Sequence, residues 1–565
     1  MTHPVTVAPT LTEAVARLAD ERVLGFTFVK PDGTERHVPF AELGTRAART
    51  ARALRDRGVA RGERVALVLP DGEDFVRAFL GAILAGAVPV PIYPHLSFKN
   101  VDGYHDTLAH IANAAGARFA VVSSATRPFV EPVVPRVAGL LGVGEIDALD
   151  AEDALWEPAD PGDLAFLQFT SGSTSRPKGV RVTHGNLAAN SKAFMLEGLR
   201  ADPARGDKGV SWLPLFHDMG LIGFVIGPLF TRIPVVFLPT ASFVRAPRIW
   251  LEAISRHRGT ITYAPNFAYQ LVTKRVKDRD VEGLDLSCLA WAGCGAEPIH
   301  ARTMRDFTAK LAPAGFQPRA ILASYGMAEA TLAITFATGG LRTDTVDART
   351  LEAGSAREAE GGDARELVDC GVVFSGHELQ IVDPDGRVLG DREVGEIRFR
   401  GPSVSSGYHD EPELTTTTFG GGWLRTGDLG YTVGGRLFVC GRIKDIVIVR
   451  GRNFYPSDIE WAVGDLPGVR RGNVVAFGVM VDGEEELVVC AEATESDRAI
   501  LGAAIQRVVT EQFALAVHDV RLVPQGTLPR TSSGKLQRRK ARTLYEAGRL
   551  VAREKPAMQE EGPPA

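Results

Sequence analysis

Short apolar runs separated by helical stretches constrain this chain more than any other feature. Residues 64–69 are apolar from Val65 to Leu69 without a break, the pattern of a strand buried on both faces. Amphipathic spacing predicts helices over 11–20 and 40–56, the second ended by Arg57 and Gly58, a helix-stop signal. A helix over 73–85, a strand over 86–92, a helix over 104–115 and a strand over 118–122 continue the alternation. Strands separated by helices pair in parallel and take helices on both faces, so an α/β chain is expected. Further apolar runs lead into polar or small-residue turns at 164–169, 289–298 and 320–329, and 261–270 runs from strand to helix. No short repeat is visible, which argues against a solenoid.

The pattern lapses over 341–367, which is rich in Arg, Asp, Glu, Ala and Gly and reads as a surface insertion with little core of its own. Alternation of period two over 378–382, 395–400 and 436–440 then predicts a small antiparallel sheet or barrel, a β-rich subdomain at about 370–440. After residue 444 the character changes again. Strands over 473–480 and 486–492, with helices over 457–463 and 500–513, predict a compact α+β domain of about 100 residues. The expected organisation is an N-terminal domain over 1–444, a C-terminal domain over 445–550 and a disordered, Glu- and Pro-rich tail over 551–565.

Composition narrows the function classes. The 565 residues carry a formal net charge of −5, so no basic field recruits nucleic acid. Cys288, Cys294, Cys370, Cys440 and Cys490 are scattered with no CxxC pair, which points to a reducing compartment and away from a zinc site. The most apolar stretch, 224–239, is broken by Pro228, Arg232 and Pro234. A cytoplasmic protein with no stable membrane insertion is expected.

The chemistry centres on residues 169–180. Thr170, Ser171, Gly172, Ser173, Thr174 and Ser175 precede Lys178 and Gly179. Small residues let backbone N–H groups approach an anion, hydroxyls add donors and a lysine neutralises charge, so this is a phosphate cradle in kind. It is not the P-loop of the common nucleotide hydrolases, because Gly179 follows Lys178 where Ser or Thr is required. A dinucleotide fingerprint also fails, since Pro298 stands in the place of a third glycine after Gly293 and Gly295.

Residues 170–179, 325–329, 423–428, 441–445 and 529–535 occur in that order. Together they resemble the acyl-adenylate-forming superfamily across about residues 10–545. Residues 213–221, 264–269, 329–332 and 444–456 are most similar to its fatty acyl-AMP ligases, and 341–367 sits where those carry an insertion. The resemblance implies a large N-terminal domain of parallel sheets layered with helices, a β-rich subdomain and a small mobile α+β C-terminal domain. It implies ATP and Mg2+ as cofactors, a fatty acid as substrate and a holo acyl carrier protein as acceptor. CoA as acceptor, and a degenerate ligase that binds without turnover, are the alternatives. An amino-acid adenylation domain is disfavoured by the apolar segments near Trp212 and Asn266, although Asp218 lies close to the first.

Roles follow by the same resemblance. The loop with Thr170, Ser171, Gly172, Ser173, Thr174 and Lys178 holds the β- and γ-phosphates. Gly295, Ala296, Glu297 and Pro298 form one wall of the adenine site, facing Tyr325 in the segment Ser324, Gly326 and Met327. Asp428 and Arg442 bond the ribose, and Glu329 holds the metal. Lys535 bridges carboxylate and α-phosphate, His217 lies beside them, and Asp445 is the hinge. Trp212, Met219, Asn266, Phe267 and Tyr269 border an acyl tunnel.

Overall fold

The computed structural model describes residues 7–70, 72–95, 101–170, 176–361, 364–449, 452–481, 483–493, 498–531 and 534–550. Its contacts fall into two compact units: Met1–Asp347 with Gly354–Cys440, and Ala348–Ala353 with the chain from Gly441 onward.

The first unit carries the parallel sheets that the alternation predicts. In one, strands Val88–Pro91, Arg64–Val68, Ala117–Val122 and Gly142–Glu145 lie side by side in that order, all parallel. Its two faces enter different cores. Val65, Leu67 and Val121 join the cluster containing helices Phe40–Asp56 and Glu73–Leu84, while Ala66, Val68, Val90 and Val122 pack with helix Val101–Ala115. A strand covered on both sides has no polar face, which is why 64–69 reads as one apolar run.

A nine-stranded sheet forms the larger layer. Its strands Gly209–Ser211, Ile261–Ala264, Trp291–Cys294 and Ile321–Gly326 are parallel neighbours. Antiparallel strands close its edges, Glu35–Pro39 at one and Ala333–Ala337 with Val372–Val373 at the other.

Strands Leu164–Thr170 and Lys178–Thr183 form an antiparallel pair, and Thr183 then caps helix His184–Ser191 through a reciprocal capping box with Asn186. That box satisfies two otherwise unpaired backbone donors. The adjoining His184 is buried, and its Nδ1 accepts from the Leu11 backbone N–H at 3.2 Å. That bond requires a neutral ring with its proton on Nε2. Burial pulls the His184 pKa down to about 4; Asp163 opposes the shift and Arg61 adds to it. The unfolded chain binds the proton first as pH falls, so stability present above about pH 6.5 is lost on the way to pH 4, up to about 3 kcal/mol. Chemical denaturation at pH 7 and 5 should show this loss, and His184→Gln should flatten it.

The 341–367 stretch holds more structure than its composition suggests. Strands Thr343–Asp347 and Ala364–Val368 pair antiparallel, with helix Ala348–Glu352 between them. Its Val346, Leu351, Ala356 and Leu367 are buried, and Leu341 is half-buried. Asp344 accepts from the Tyr431 hydroxyl at 2.8 Å and pairs with Arg392 at 3.0 Å. A segment can thus be polar in composition and still be packed, provided each large side chain is used. The β-rich region is a four-stranded sheet in the order Glu378–Val382, Gly395–Arg400, Leu424–Val433 and Arg436–Arg442. Ile381, Ile397, Phe399 and Leu424 are buried in its core.

The second unit is α+β. Strands Val469–Val481 and Glu484–Ala493 are antiparallel, and Val517–Val523 adds to the latter in parallel. Helices Pro456–Gly464 and Arg498–Phe513 cover one face, where Val474, Ala476, Leu487 and Val489 meet Ile459, Ile505 and Val509. Helix Arg538–Glu546 covers the other, with Ala541 against Val475, Phe477 and Val488. Among the described residues no helix is long and apolar enough to cross a membrane.

Candidate functional site

Strand Ile321–Gly326 delivers the first group of candidate residues. The Tyr325 hydroxyl donates to Asp428 Oδ2 at 2.7 Å, and both side chains are buried. The Asp428 backbone N–H donates to Thr426 Oγ1 at 3.1 Å, and that hydroxyl in turn donates to the Ile397 carbonyl. Two residues 103 apart in sequence, each expected to hold part of one nucleotide, therefore share a hydrogen bond. Gly326 has no room for a side chain, since a Cβ would lie 2.0 Å from the Leu332 carbonyl.

The chain then turns sharply. Glu329 sits in the short helix Ala328–Ala330, and Thr331 follows with φ +71° and ψ −63°. Leu332 N–H donates back to the Ala330 carbonyl at 2.9 Å, closing a γ-turn, a conformation that a β-branched residue adopts only under strain. Thr331 is fully buried and its hydroxyl donates to the Ser403 carbonyl at 2.6 Å. Strain of about 1–3 kcal/mol persists only where surroundings over-determine it, and here it sits two residues from Glu329.

Glu329 Oε1 accepts from the Tyr408 hydroxyl at 2.7 Å, and the Glu329 carbonyl accepts from Ser405 N–H. The Lys178 ammonium lies 5.8 Å from the centroid of the Tyr408 ring, within cation–π range. Tyr408 thus joins the expected metal carboxylate to the expected phosphate lysine. No sequence motif points to Tyr408. Thr170 pairs with Lys178 at the end of the two strands that flank the expected phosphate-binding segment; Ser171, Gly172, Ser173 and Thr174 lie outside the described residues. At the loop's exit, His110 Nε2 donates to the Pro177 carbonyl at 3.0 Å.

The turn after strand Trp291–Cys294 has Ala296 at φ +69°. Glu297 Oε1 accepts from Phe267 N–H at 2.6 Å, and Asn266 Oδ1 accepts from His300 N–H at 3.1 Å. These bonds tie the turn to helix Asn266–Arg275, and the first satisfies a backbone N–H in that helix's first turn. Ser324 Oγ donates to the Cys294 carbonyl, and a Cβ on Gly295 would lie 2.5 Å from that hydroxyl. Pro298 ends the turn, and Met327 N–H returns to the Leu332 carbonyl.

His217 stands at the N-cap position of helix Asp218–Leu221, where the Met219 N–H lies closer to Asp218 Oδ1 than to His217 Nδ1, 2.7 Å against 3.4 Å. His217 Nδ1 lies 2.6 Å from Asp218 Oδ1, the contact that fixes the ring. With Nδ1–H donating to Asp218, Nε2 of the neutral ring is an acceptor. Buried Gln168 steadies the turn by donating to the Phe216 carbonyl at 3.0 Å.

The acyl candidates divide. Trp212 stacks on Phe243 with centroids 3.7 Å apart and meets Phe267 edge-on, and Met219 is buried nearby in sequence. Tyr269 does not fit a lining role. It is fully buried beside Trp250 and Phe307, and its hydroxyl donates to the Gly293 carbonyl at 2.6 Å. On helix Asn266–Arg275 the buried side includes Ala268, Tyr269 and Val272, whereas Phe267 is half-buried; Tyr269 is core.

The second unit holds the remaining candidates. Arg442 is exposed at the end of strand Arg436–Arg442. Asp445 ends the turn Ile443–Asp445 and pairs with Arg538 at 2.7 Å. Lys535 is half-buried in a tight turn: its N–H donates to Thr531 Oγ1 at 3.0 Å, and Thr531 N–H donates to the Lys535 carbonyl at 2.8 Å.

A family profile described as AMP-binding enzyme matches residues 11–409, the segment that contains Lys178, His217, Glu329 and Tyr408. Long-chain-fatty-acid–AMP ligase FadD26 of Mycobacterium marinum is 36% identical over 570 residues, covering 92% of this chain and 94% of that protein. The structure superposes with a TM-score of 0.90 on one from studies of fatty acyl-adenylate ligases of E. coli and L. pneumophila. That chain is 34% identical, with 96% of this chain and 98% of that one covered.

The chain belongs to the AMP-binding enzymes, among their fatty acyl-AMP ligases.

A second profile, described as the AMP domain of Disco-interacting protein 2-like proteins, matches residues 444–555, which carry Asp445 and Lys535. A Caulobacter vibrioides protein provisionally named an acyl-CoA synthetase is also similar, 37% identical over 566 residues and covering 96% of this chain and 98% of that protein. As a ligase of this family the chain is an ATP-using enzyme.

Proposed function

We propose that this ligase joins a medium- or long-chain fatty acid to AMP, releasing pyrophosphate, and then passes the acyl group to the phosphopantetheine thiol of an acyl carrier protein. The observation that carries the reading is the convergence around strand Ile321–Gly326: Tyr325 on Asp428, and Glu329 on Tyr408 beside Lys178. A carboxylate is a poor electrophile because its leaving group would be oxide. A carboxylate oxygen bonds to the α-phosphorus while the bond to pyrophosphate breaks, giving a mixed anhydride whose AMP leaves readily when the thiol attacks.

Two anions must first be brought together, so each half of the site supplies countercharge or donors. Lys178 and the loop hydroxyls take the outer phosphates, and Lys535 meets the carboxylate and α-phosphate. Asp428 and Arg442 bond the ribose, and Asp428 is kept in place by the Tyr325 hydroxyl. His217, its Nδ1 committed to Asp218, offers Nε2 as an acceptor. Glu329 suits Mg2+: it is a hard carboxylate with one oxygen steadied by Tyr408, and one such group plus phosphate oxygens is a usual Mg2+ donor set. When bound, the ion neutralises charge on the departing phosphates.

Fatty-acid-dependent ATP–pyrophosphate exchange with dodecanoate tests the first step, and no exchange in folded protein would leave the binding-only reading. Offering holo carrier protein or CoA to the acyl-AMP tests the second. The Caulobacter relative's name favours CoA as the second reading, and efficient acyl-CoA formation would establish it.

Asp445 is placed as the hinge between the two half-reactions, since a residue ending a short turn can absorb the rotation. Asp445→Pro fixes φ but leaves Arg538 its bidentate partner Glu460. Acyl-AMP formation should stay within about threefold while thioester transfer falls about tenfold or more; single-turnover assays of each step separate the two.

A further inference from the structure

The strongest unassigned feature lies around Arg538, the first residue of helix Arg538–Glu546 and three residues past Lys535. Its guanidinium grips Glu460 with both arms, Nε to Oε1 at 2.9 Å and Nη2 to Oε2 at 2.8 Å. The remaining arm, Nη1, reaches Asp445 Oδ2 at 2.7 Å. Glu460 is itself fixed, because its Oε1 also accepts from Ala476 N–H in strand Val469–Val481. Arg539 stands 3.8 Å from the other Asp445 oxygen. All three principal side chains are less than a quarter exposed. Burial would pull the Arg538 pKa down, but Glu460 and Asp445 outweigh it and raise it, so the group stays charged.

We propose that Arg538 is a positioning residue: by bridging Glu460 and Asp445 it fixes the turn that presents Lys535 and ties that turn to the hinge segment. The turn is anchored on its other limb by Arg530, whose Nη2 donates to Asn473 Oδ1 at 2.7 Å. Across the base of the turn Gln537 N–H donates to the Pro529 carbonyl at 2.9 Å, and Lys535 and Thr531 bond each other. Lys535 is thus carried on a clamped turn whose downstream clamp includes the residue where rotation is placed. Only a planar fork can hold two carboxylates in this way; a lysine ammonium is a point charge. The inference rests on the roles proposed for Lys535 and Asp445, but its hold on the turn can be read without them.

The experiment compares Arg538→Met and Arg538→Lys with the parent by amide hydrogen exchange and by ATP–pyrophosphate exchange. In Arg538→Met the amides of Thr531, Lys535 and Gln537 should exchange about tenfold faster or more, with those of strand Glu484–Ala493 unchanged. The kcat should fall about tenfold with KM for ATP and dodecanoate within twofold, and Arg538→Lys should recover part of both. Parental exchange at the three turn amides would overturn the proposal. So would loosening shared equally by strand Glu484–Ala493, which marks a general packing role. Parental turnover in Lys535→Ala would instead remove the functional reading of the turn, a separate result from the amide measurement.

Discussion

Lys535→Ala should lower fatty-acid-dependent ATP–pyrophosphate exchange by about a hundred- to a thousandfold, the range for removing one pre-placed group that stabilises developing charge. The protein should remain folded. The turn around Lys535 is held through backbone atoms, by the Thr531 hydroxyl and the Lys535 carbonyl, and by the arginines on its flanks. Truncating the side chain leaves those bonds in place, so the midpoint of thermal unfolding should move by no more than about 2 °C. Lys535→Arg should recover little, because a rigid planar cation does not replace a compact ammonium between two oxygens. A folded Lys535→Ala protein that made acyl-AMP at the parental rate would remove the lysine from the reaction.

The parts of this architecture legible in the sequence are those where burial leaves a local trace. Residues 64–69 read as a strand because both faces of that sheet are covered, and the cap at Thr183 is equally local, its partner Asn186 being three residues away. Strand Val517–Val523 left no such trace: only Val523 is buried, and His518, Asp519 and Arg521 interrupt it. Helix Arg538–Glu546 opens on Arg538, Arg539 and Lys540, which read as solvated charge. Its packing stripe is only Ala541, Leu544 and Tyr545.

The site shows the same division. Candidate residues fall in short motifs, but their partners come from topology. Tyr408 reaches Glu329 across 79 positions and Tyr325 reaches Asp428 across 103; no periodicity encodes either distance. Tyr269 and Phe267 lie in one motif, yet residues two apart on a helix point about 200° from each other, enough to send one into the core while the other is half-buried. The strained turn at Thr331 is equally silent in sequence, since threonine is a poor choice for positive φ.

Glu329→Gln should lower exchange by about a hundredfold and raise the Mg2+ concentration needed for half-maximal rate, because an amide keeps the shape but loses the charge that a hard cation prefers. Tyr408→Phe removes only the hydroxyl that holds one carboxylate oxygen at 2.7 Å. A hydrogen bond to a charged group contributes about 1.5–3 kcal/mol, and part of that is recovered when water replaces the phenol, so a five- to twentyfold loss is expected. The two effects should not multiply. If Tyr408 acts by holding Glu329, then in the Glu329→Gln background Tyr408→Phe should cost less than about threefold, the signature of coupled residues in a double-mutant cycle. Full multiplication would show instead that the phenol works on its own, through the Lys178 ammonium that lies 5.8 Å from its ring. In that case Lys178→Met should erase the Tyr408→Phe effect while Glu329→Gln leaves it intact.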